Sequence, residues 1–180
     1  MNNDNGNESH DLRFADILPI LTLNNLHAER TSFLDERSLA QLLTISCYAR
    51  GIDHGTTAML IALDQNAEYD NPNFQWFRSR YERFIYVDRI IVSSTARGRG
   101  LARSLYRDLF AWSELAGQRQ VVCEVNIRPP NHASEAFHRE MGFVEVGQAN
   151  IHNGLKSVQY LQRLLRGNAG RNSHQSLDPS

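Results

Sequence analysis

The chain has 180 residues, 41% of them apolar, and a formal net charge of -1. That length and apolar content suit one domain with a substantial core. The near-neutral balance argues against a generic nucleic-acid binder, whose footprint is a strong basic excess, and no apolar run approaches the roughly 18 residues of a membrane span.

Met1–Asn7 is polar and acidic, unlike a secretory signal. Cys47 and Cys123 do not make a disulfide framework and read as buried free thiols. The simplest location is the cytoplasm. Lys156 is the only lysine among 19 basic residues. Base composition of the gene accounts for this bias, and a functional lysine near the last strand is the alternative.

Met1–His10 is Asn-rich and reads as disordered. The domain is expected over 12–166, between disordered tails at 1–11 and 167–180. Leu12–Ile17 alternates apolar and polar as a first strand, and Pro19 opens a helical segment, Ile20–Ala28. Asp35 is an N-cap for Glu36–Leu43, with Leu39, Leu42 and Leu43 facing inward. Thr44–Arg50, turn chemistry over 51–55 and the return strand Thr57–Leu63 make a β-hairpin. Asn71-Pro72 is a capped start for a short helix to about Tyr81. Its aromatics Phe74, Trp76, Phe77 and Tyr81 either plug a core or wall a binding cleft.

Phe84–Val92 is the central strand. Leu101, Leu105, Leu109 and Trp112 then recur at helical spacing, and Gly117 ends that helix. Gln120–Ile127 is a buried strand stopped by Pro129 and Pro130. Asn131 caps a helix through Glu140, terminated by Gly142. Phe143–Gly147 and Lys156–Leu164 close the sheet around a turn at Asn150–Gly154.

Between the central strand and its helix lies Arg97-Gly-Arg-Gly-Leu-Ala-Arg103. A glycine loop running into a helix N-terminus is an anion site, through unpaired N–H groups and the helix dipole. Arg97, Arg99 and Arg103 add positive charge, so the loop reads as a diphosphate cradle. It lacks the third glycine of a dinucleotide fingerprint and the Gly-Lys-Ser/Thr of a P-loop.

The loop Arg97-x-x-Gly100-x-Ala102, with Val92 five residues before it and Asn131…Phe137-His138-x-x-x-Gly142-Phe143 after it, resembles the GCN5-related N-acetyltransferase (GNAT) superfamily. The segment Asn131–Phe143 resembles that of the bacterial ribosomal-protein alanine acetyltransferases, with His138 in place of the usual tyrosine. The resemblance spans about 12–165 and is closest to an uncharacterised group of predicted acetyltransferases. It implies an α/β (α+β) domain, with a mixed, mostly antiparallel sheet flanked by helices. It also implies acetyl-CoA as cosubstrate and an amine as acceptor.

Acetyl transfer assigns expected roles. The attacking amine must be neutral, so a base must take its proton. Glu124 and Asp88 are the candidates. The resemblance favours Glu124, while Asp88 alternatively pairs with Arg89 or Arg83. The resemblance puts the oxyanion donor at the backbone N–H of Val92, beside Ile90 and Ile91. The cofactor's diphosphate falls on Arg97, Gly98, Arg99, Gly100, Leu101, Ala102 and Arg103, and its pantetheine arm near Asn131 and Ser134. The leaving thiolate needs a proton, which an imidazolium at His138 can supply. Otherwise His138 is a rim residue and the acid is Tyr86 or Tyr106. Phe74, Trp76, Phe77 and Tyr86 are the candidate acceptor wall.

No histidine spacing resembles a zinc site, and no metal is expected. Two other classes stay open. One is an acyl-CoA-binding module without catalysis, and the other a local nucleic-acid patch on Arg97, Arg99, Arg103 and Arg107. The exposed edge of a closing strand would suit a homodimer.

Overall fold

The computed structural model describes residues 8–151 and 156–166. In chain order the elements are β1 (His10–Asp11), α1 (Ile17–Asn25), α2 (Ala28–Thr31), α3 (Glu36–Ile45), β2 (Tyr48–Ile52) and β3 (Ala58–Asp64). There follow α4 (Pro72–Arg78), β4 (Ile85–Val92), α5 (Leu101–Leu115), β5 (Gln120–Arg128), α6 (His132–Glu140), β6 (Val144–Ile151) and β7 (Lys156–Leu164). The strands form one sheet in the order β1-β2-β3-β4-β5-β7-β6. Only β4 and β5 pair in parallel; the other neighbours are antiparallel.

The sheet is covered on both faces, and β3 shows why it sits centrally. Ala58, Leu60 and Ala62 pack toward α5 and α6. Met59, Ile61 and Leu63 pack on the opposite face, toward α1, α3 and α4. A strand buried on both faces is apolar at every position rather than at alternate ones. Capping follows the sequence. Asp35 accepts from Ser38 N at 2.7 Å, and Asn71 accepts from the N–H groups of Asn73 and Phe74.

Several boundaries differ from expectation. Leu12–Ile17 is not a strand: pairing stops at Asp11, and a helical turn over Phe14–Asp16 leads into α1. Asp16 ties back to the Arg13 N–H at 2.9 Å. Pro19 falls in the first turn of α1, where its missing N–H costs nothing. Helix α3 runs on through Ile45, so β2 begins only at Tyr48 and extends to Ile52. His10 lies in β1 rather than in a disordered tail. Strand β6 continues to Ile151, and the rest of the turn expected at Asn150–Gly154 lies outside the described residues, as do both expected tails beyond 8 and 166.

Two irregularities build the site. Strands β4 and β5 pair only at Ile85–Val121 and Tyr86–Val122, then part. Opposite β3, the register of β4 skips Asp88, a β-bulge. The bulge reverses the alternation: Ile85 and Val87 face one core, and beyond it Ile90 and Val92 face that same side. Asp88 and Arg89 are thereby re-aimed together.

Candidate functional site

Where β4 and β5 part, a cavity of about 710 Å³ opens between them. One lobe is formed by the end of β4 and the start of α5, with Arg97, Gly98, Leu101, Ala102 and Arg103 in its wall. Gly98 and Gly100 have φ of 77° and 78°, a left-handed backbone that side chains disfavour. A Cβ built on either would meet nothing within 4 Å. Helix α5 has no side-chain N-cap, so the N–H groups of its first turn are left to face the lobe. Arg97 has no side-chain partner among the described residues. Arg103 lines the lobe while also pairing with Glu140 at 2.9 Å. Arg99 is not part of the lining.

The backbone of β4 supplies the next contacts. Ser93 N donates to Thr57 O, and N–H direction alternates along a strand. The Val92 N–H therefore turns toward the gap that β5 has vacated. Ile90 and Ile91 line the same gap, and Asn131 and Ser134 close it from α6. Asn131 Oδ1 accepts from Ser134 N at 3.3 Å as the helix cap.

The second lobe holds Glu124. Its Oε1 accepts from Asn73 Nδ2 at 3.0 Å, and the Tyr160 hydroxyl donates to Asn73 Oδ1 at 3.0 Å. Because a carboxylate only accepts, the Asn73 amide is fixed with its nitrogen toward Glu124. Glu124 Oε2 and the Tyr86 hydroxyl are both buried without a hydrogen-bond partner. They are near enough for each to alter the other's proton affinity, although no formed bond joins them. Burial first, then the neighbouring Asp88 charge, pushes Glu124 up to about 7, against the donors that favour its ionised form. Burial likewise raises Tyr86, which stays a phenol.

Asp88 also lines the cavity, but both its oxygens are engaged. Arg89 Nε donates to Oδ2 and the Tyr69 hydroxyl to Oδ1, each at 2.7 Å. The ion pair is 4% exposed on both sides, and Arg89 continues it to Asn24 Oδ1 at 2.6 Å. Of the two roles open to Asp88, the structure shows the pairing with Arg89.

His138 also lines the cavity and is bonded at both ring nitrogens. Its Nδ1 faces the Ser134 carbonyl at 2.7 Å, so this nitrogen carries a proton, and Nε2 lies 2.8 Å from the Tyr106 hydroxyl. Burial lowers its proton affinity, against the opposing effect of the Ser134 carbonyl. Both ring nitrogens are bonded, and burial favours the neutral ring over the imidazolium. Tyr106 is wholly buried, with burial raising its phenol.

The aromatic segment belongs to the core rather than to a cleft wall. Phe74, Phe77 and Tyr86 have no exposed surface. Trp76 stacks on Tyr160 at 4.1 Å and lies against Gly147, where a Cβ would stand 2.6 Å from the indole. None of the four lines the cavity. Its second lobe is walled instead by Asn73, Asn126, Val158, Ile151 and Lys156, and His27 also lines the cavity. Sequence reasoning passed over these positions; only the uniqueness of Lys156 singled one out. Among the described residues no cluster of His, Cys, Asp or Glu could hold a metal, and no helix is long and apolar enough to cross a membrane.

Residues 58–143, which include the parted strands and the cradle, match the acetyltransferase (GNAT) family profile. That stretch, from the start of β3 to just past α6, is a GNAT acetyltransferase segment. Among solved structures, this chain is similar to the ribosomal-protein-S18-alanine N-acetyltransferase from Escherichia coli, with 16% identity and a TM-score of 0.68 over 93% of this chain and 99% of that one. Ard1 from Thermoplasma volcanium aligns with 12% identity and a TM-score of 0.70, covering 88% and 97%. The ribosomal-protein-alanine N-acetyltransferase from Brucella melitensis gives 18% and 0.67, covering 88% and 99%. At these identities the likeness is one of fold. No curated protein matches the sequence.

Proposed function

We propose that this protein transfers the acetyl group of acetyl-CoA to a primary amine by direct attack in a ternary complex. One observation carries the reading: a single cavity joins an uncapped helix N-terminus behind two left-handed glycines to a buried carboxylate whose second oxygen has no hydrogen-bond partner. The first lobe fits acetyl-CoA. The first-turn N–H groups of α5, with Arg97, suit its diphosphate, and the unpaired edge of β4 suits the pantetheine amides. Bound acetyl-CoA supplies an activated acyl group; the protein supplies placement and proton transfer.

Glu124 is the base in this scheme. Oε1 is held by Asn73, which leaves Oε2 to take the proton of the amine. With a proton affinity raised to about 7, the carboxyl is a stronger acid than an ordinary thiol of about 8.5, so it can pass that proton on to the thiolate. The Val92 N–H, turned into the gap, would donate to the carbonyl oxygen as negative charge grows on it. His138 and Tyr106 hold α6 against α5 and take no proton.

The test pairs binding with turnover. Acetyl-CoA should raise the melting temperature, and CoA thiol should appear only when an amine is present. Gly100→Glu puts a carboxylate and an unfavourable backbone at the cradle, and should abolish the thermal shift. A shift retained in that variant would place the cofactor elsewhere, and a wild-type shift without thiol release across an amine panel would leave only a binding module.

A further inference from the structure

The floor of the acceptor lobe has a polarity that identifies what it takes. On β5 and β7, Glu124 stands opposite Tyr160 and Asn126 opposite Val158. Side chains alternate along a strand, so Lys156 shares the face of Val158 and Tyr160. Glu124, Asn126, Val158 and Lys156 all line the cavity, together with Ile151, the partner of Lys156 on β6. The floor therefore begins at a carboxylate and ends at an ammonium. Four residues along β7 separate the two levels, a run of roughly 13 Å. The four-carbon stem of lysine can shorten the gap by about 6 Å if it folds back.

The charges at the two ends differ in how they are met. Asp88, beside Glu124, is neutralised by Arg89. Lys156 is half-buried, and its side chain has no hydrogen-bond or carboxylate partner among the described residues. A cation on a cavity wall with no carboxylate beside it repels a second ammonium and attracts an anion. The amine to be acetylated has to lie at Glu124, where the base is.

We propose that the acceptor is a primary amine bearing an anionic group roughly 7–13 Å from its nitrogen, the amine at Glu124 and the anion on Lys156 Nζ. The proposal rests on the acetyl-transfer reading above. It disfavours polyamines, whose far end is cationic, and free α-amino acids, whose two charges are adjacent. It favours long ω-amino carboxylates and extended peptide N-termini with an acidic side chain at the third or fourth residue, at about 3.3–3.6 Å per residue.

Matched acceptors test it on the full chain with saturating acetyl-CoA. The pairs are an eight-carbon ω-amino acid against its amide, and tetrapeptides with Glu against Gln at the third or fourth position. Wild-type kcat/KM should favour the acid by about tenfold or more, the scale of one charge-assisted hydrogen bond. Lys156→Gln should erase the preference and Lys156→Glu invert it, with the acetyl-CoA thermal shift unchanged. Equal rates for acid and amide, or a preference that survives Lys156→Glu, overturn the subsite. If no acceptor turns over, calorimetry on the CoA-bound protein with the N-acetylated acid and amide decides. Binding of the acid that depends on Lys156 supports the subsite and sinks acetyl transfer; equal or absent binding sinks the subsite.

Discussion

Glu124 and His138 are both buried polar groups bordering one cavity, and they are built to opposite ends. His138 has a partner for each ring nitrogen, one a backbone carbonyl and the other a phenol. Glu124 has a donor on one oxygen and none on the other. Burial acts on both in the same sense, favouring the neutral form, so it lowers the affinity of the imidazole and raises that of the carboxyl. The outcomes differ because a neutral imidazole with both nitrogens satisfied has nothing left to exchange. A carboxyl with affinity near 7 and one oxygen without a hydrogen-bond partner changes state in the range where an amine must be deprotonated. Completeness of bonding, more than residue type, separates the structural group from the chemical one.

The largest expected effect tests the open side of that contrast. Glu124→Gln keeps the shape and the Asn73 contact but cannot take a proton, so kcat should fall by roughly 10²–10⁴-fold. The acetyl-CoA thermal shift should persist. In the wild type, kcat/KM should rise with pH through about 7 as the carboxyl ionises; a profile flat across that region would detach Glu124 from the chemistry. Asn73→Ala is the next step down. It removes a donor that favours the carboxylate, so the midpoint should move to higher pH and kcat/KM at pH 7 should drop roughly tenfold. The same change orphans the Tyr160 hydroxyl, at a stability cost of about 1–3 kcal/mol. Loss of stability without movement of the pH midpoint would reduce Asn73 to a packing residue.

How far the sequence reached follows the same division. The glycine loop and the helix start behind it were legible because their causes are local: two glycines, an apolar helical period and a preceding β-branched strand lie within 84–112. The Glu124 side was less so, since its geometry comes from register. Glu124, Asn73 and Tyr160 meet across separations of 51 and 87 residues. Phe74 and Phe77 looked the same as core or as cleft wall, because an aromatic helix face does not say what it is pressed against. The state of His138 depends on Tyr106, 32 residues away on another helix. Leu12–Ile17 misled because a few residues of alternation also fit the lead-in to a helix, and Pro19 is tolerated in its first turn.

The smallest expected effects lie on the closed side. His138→Asn should leave kcat within about tenfold of wild type, below the usual contribution of a proton-transfer residue, while orphaning the Tyr106 hydroxyl at about 1–3 kcal/mol of stability. A loss of 10²-fold or more in kcat with an intact acetyl-CoA shift would return His138 to the chemistry. The dependence of stability on pH should also separate the two groups, with opposite signs. For Glu124 the folded affinity of about 7 exceeds the ordinary 4.5, so its contribution is full below 4.5 and lost as pH rises through 7. For His138 the folded affinity lies below the ordinary 6.5, so its contribution is present above 6.5 and lost as pH falls below it. Melting temperatures across that range should show Glu124→Gln gaining on wild type as pH rises and His138→Asn gaining as pH falls. Parallel curves for the two variants would mean that the groups do not differ in the way their bonding implies.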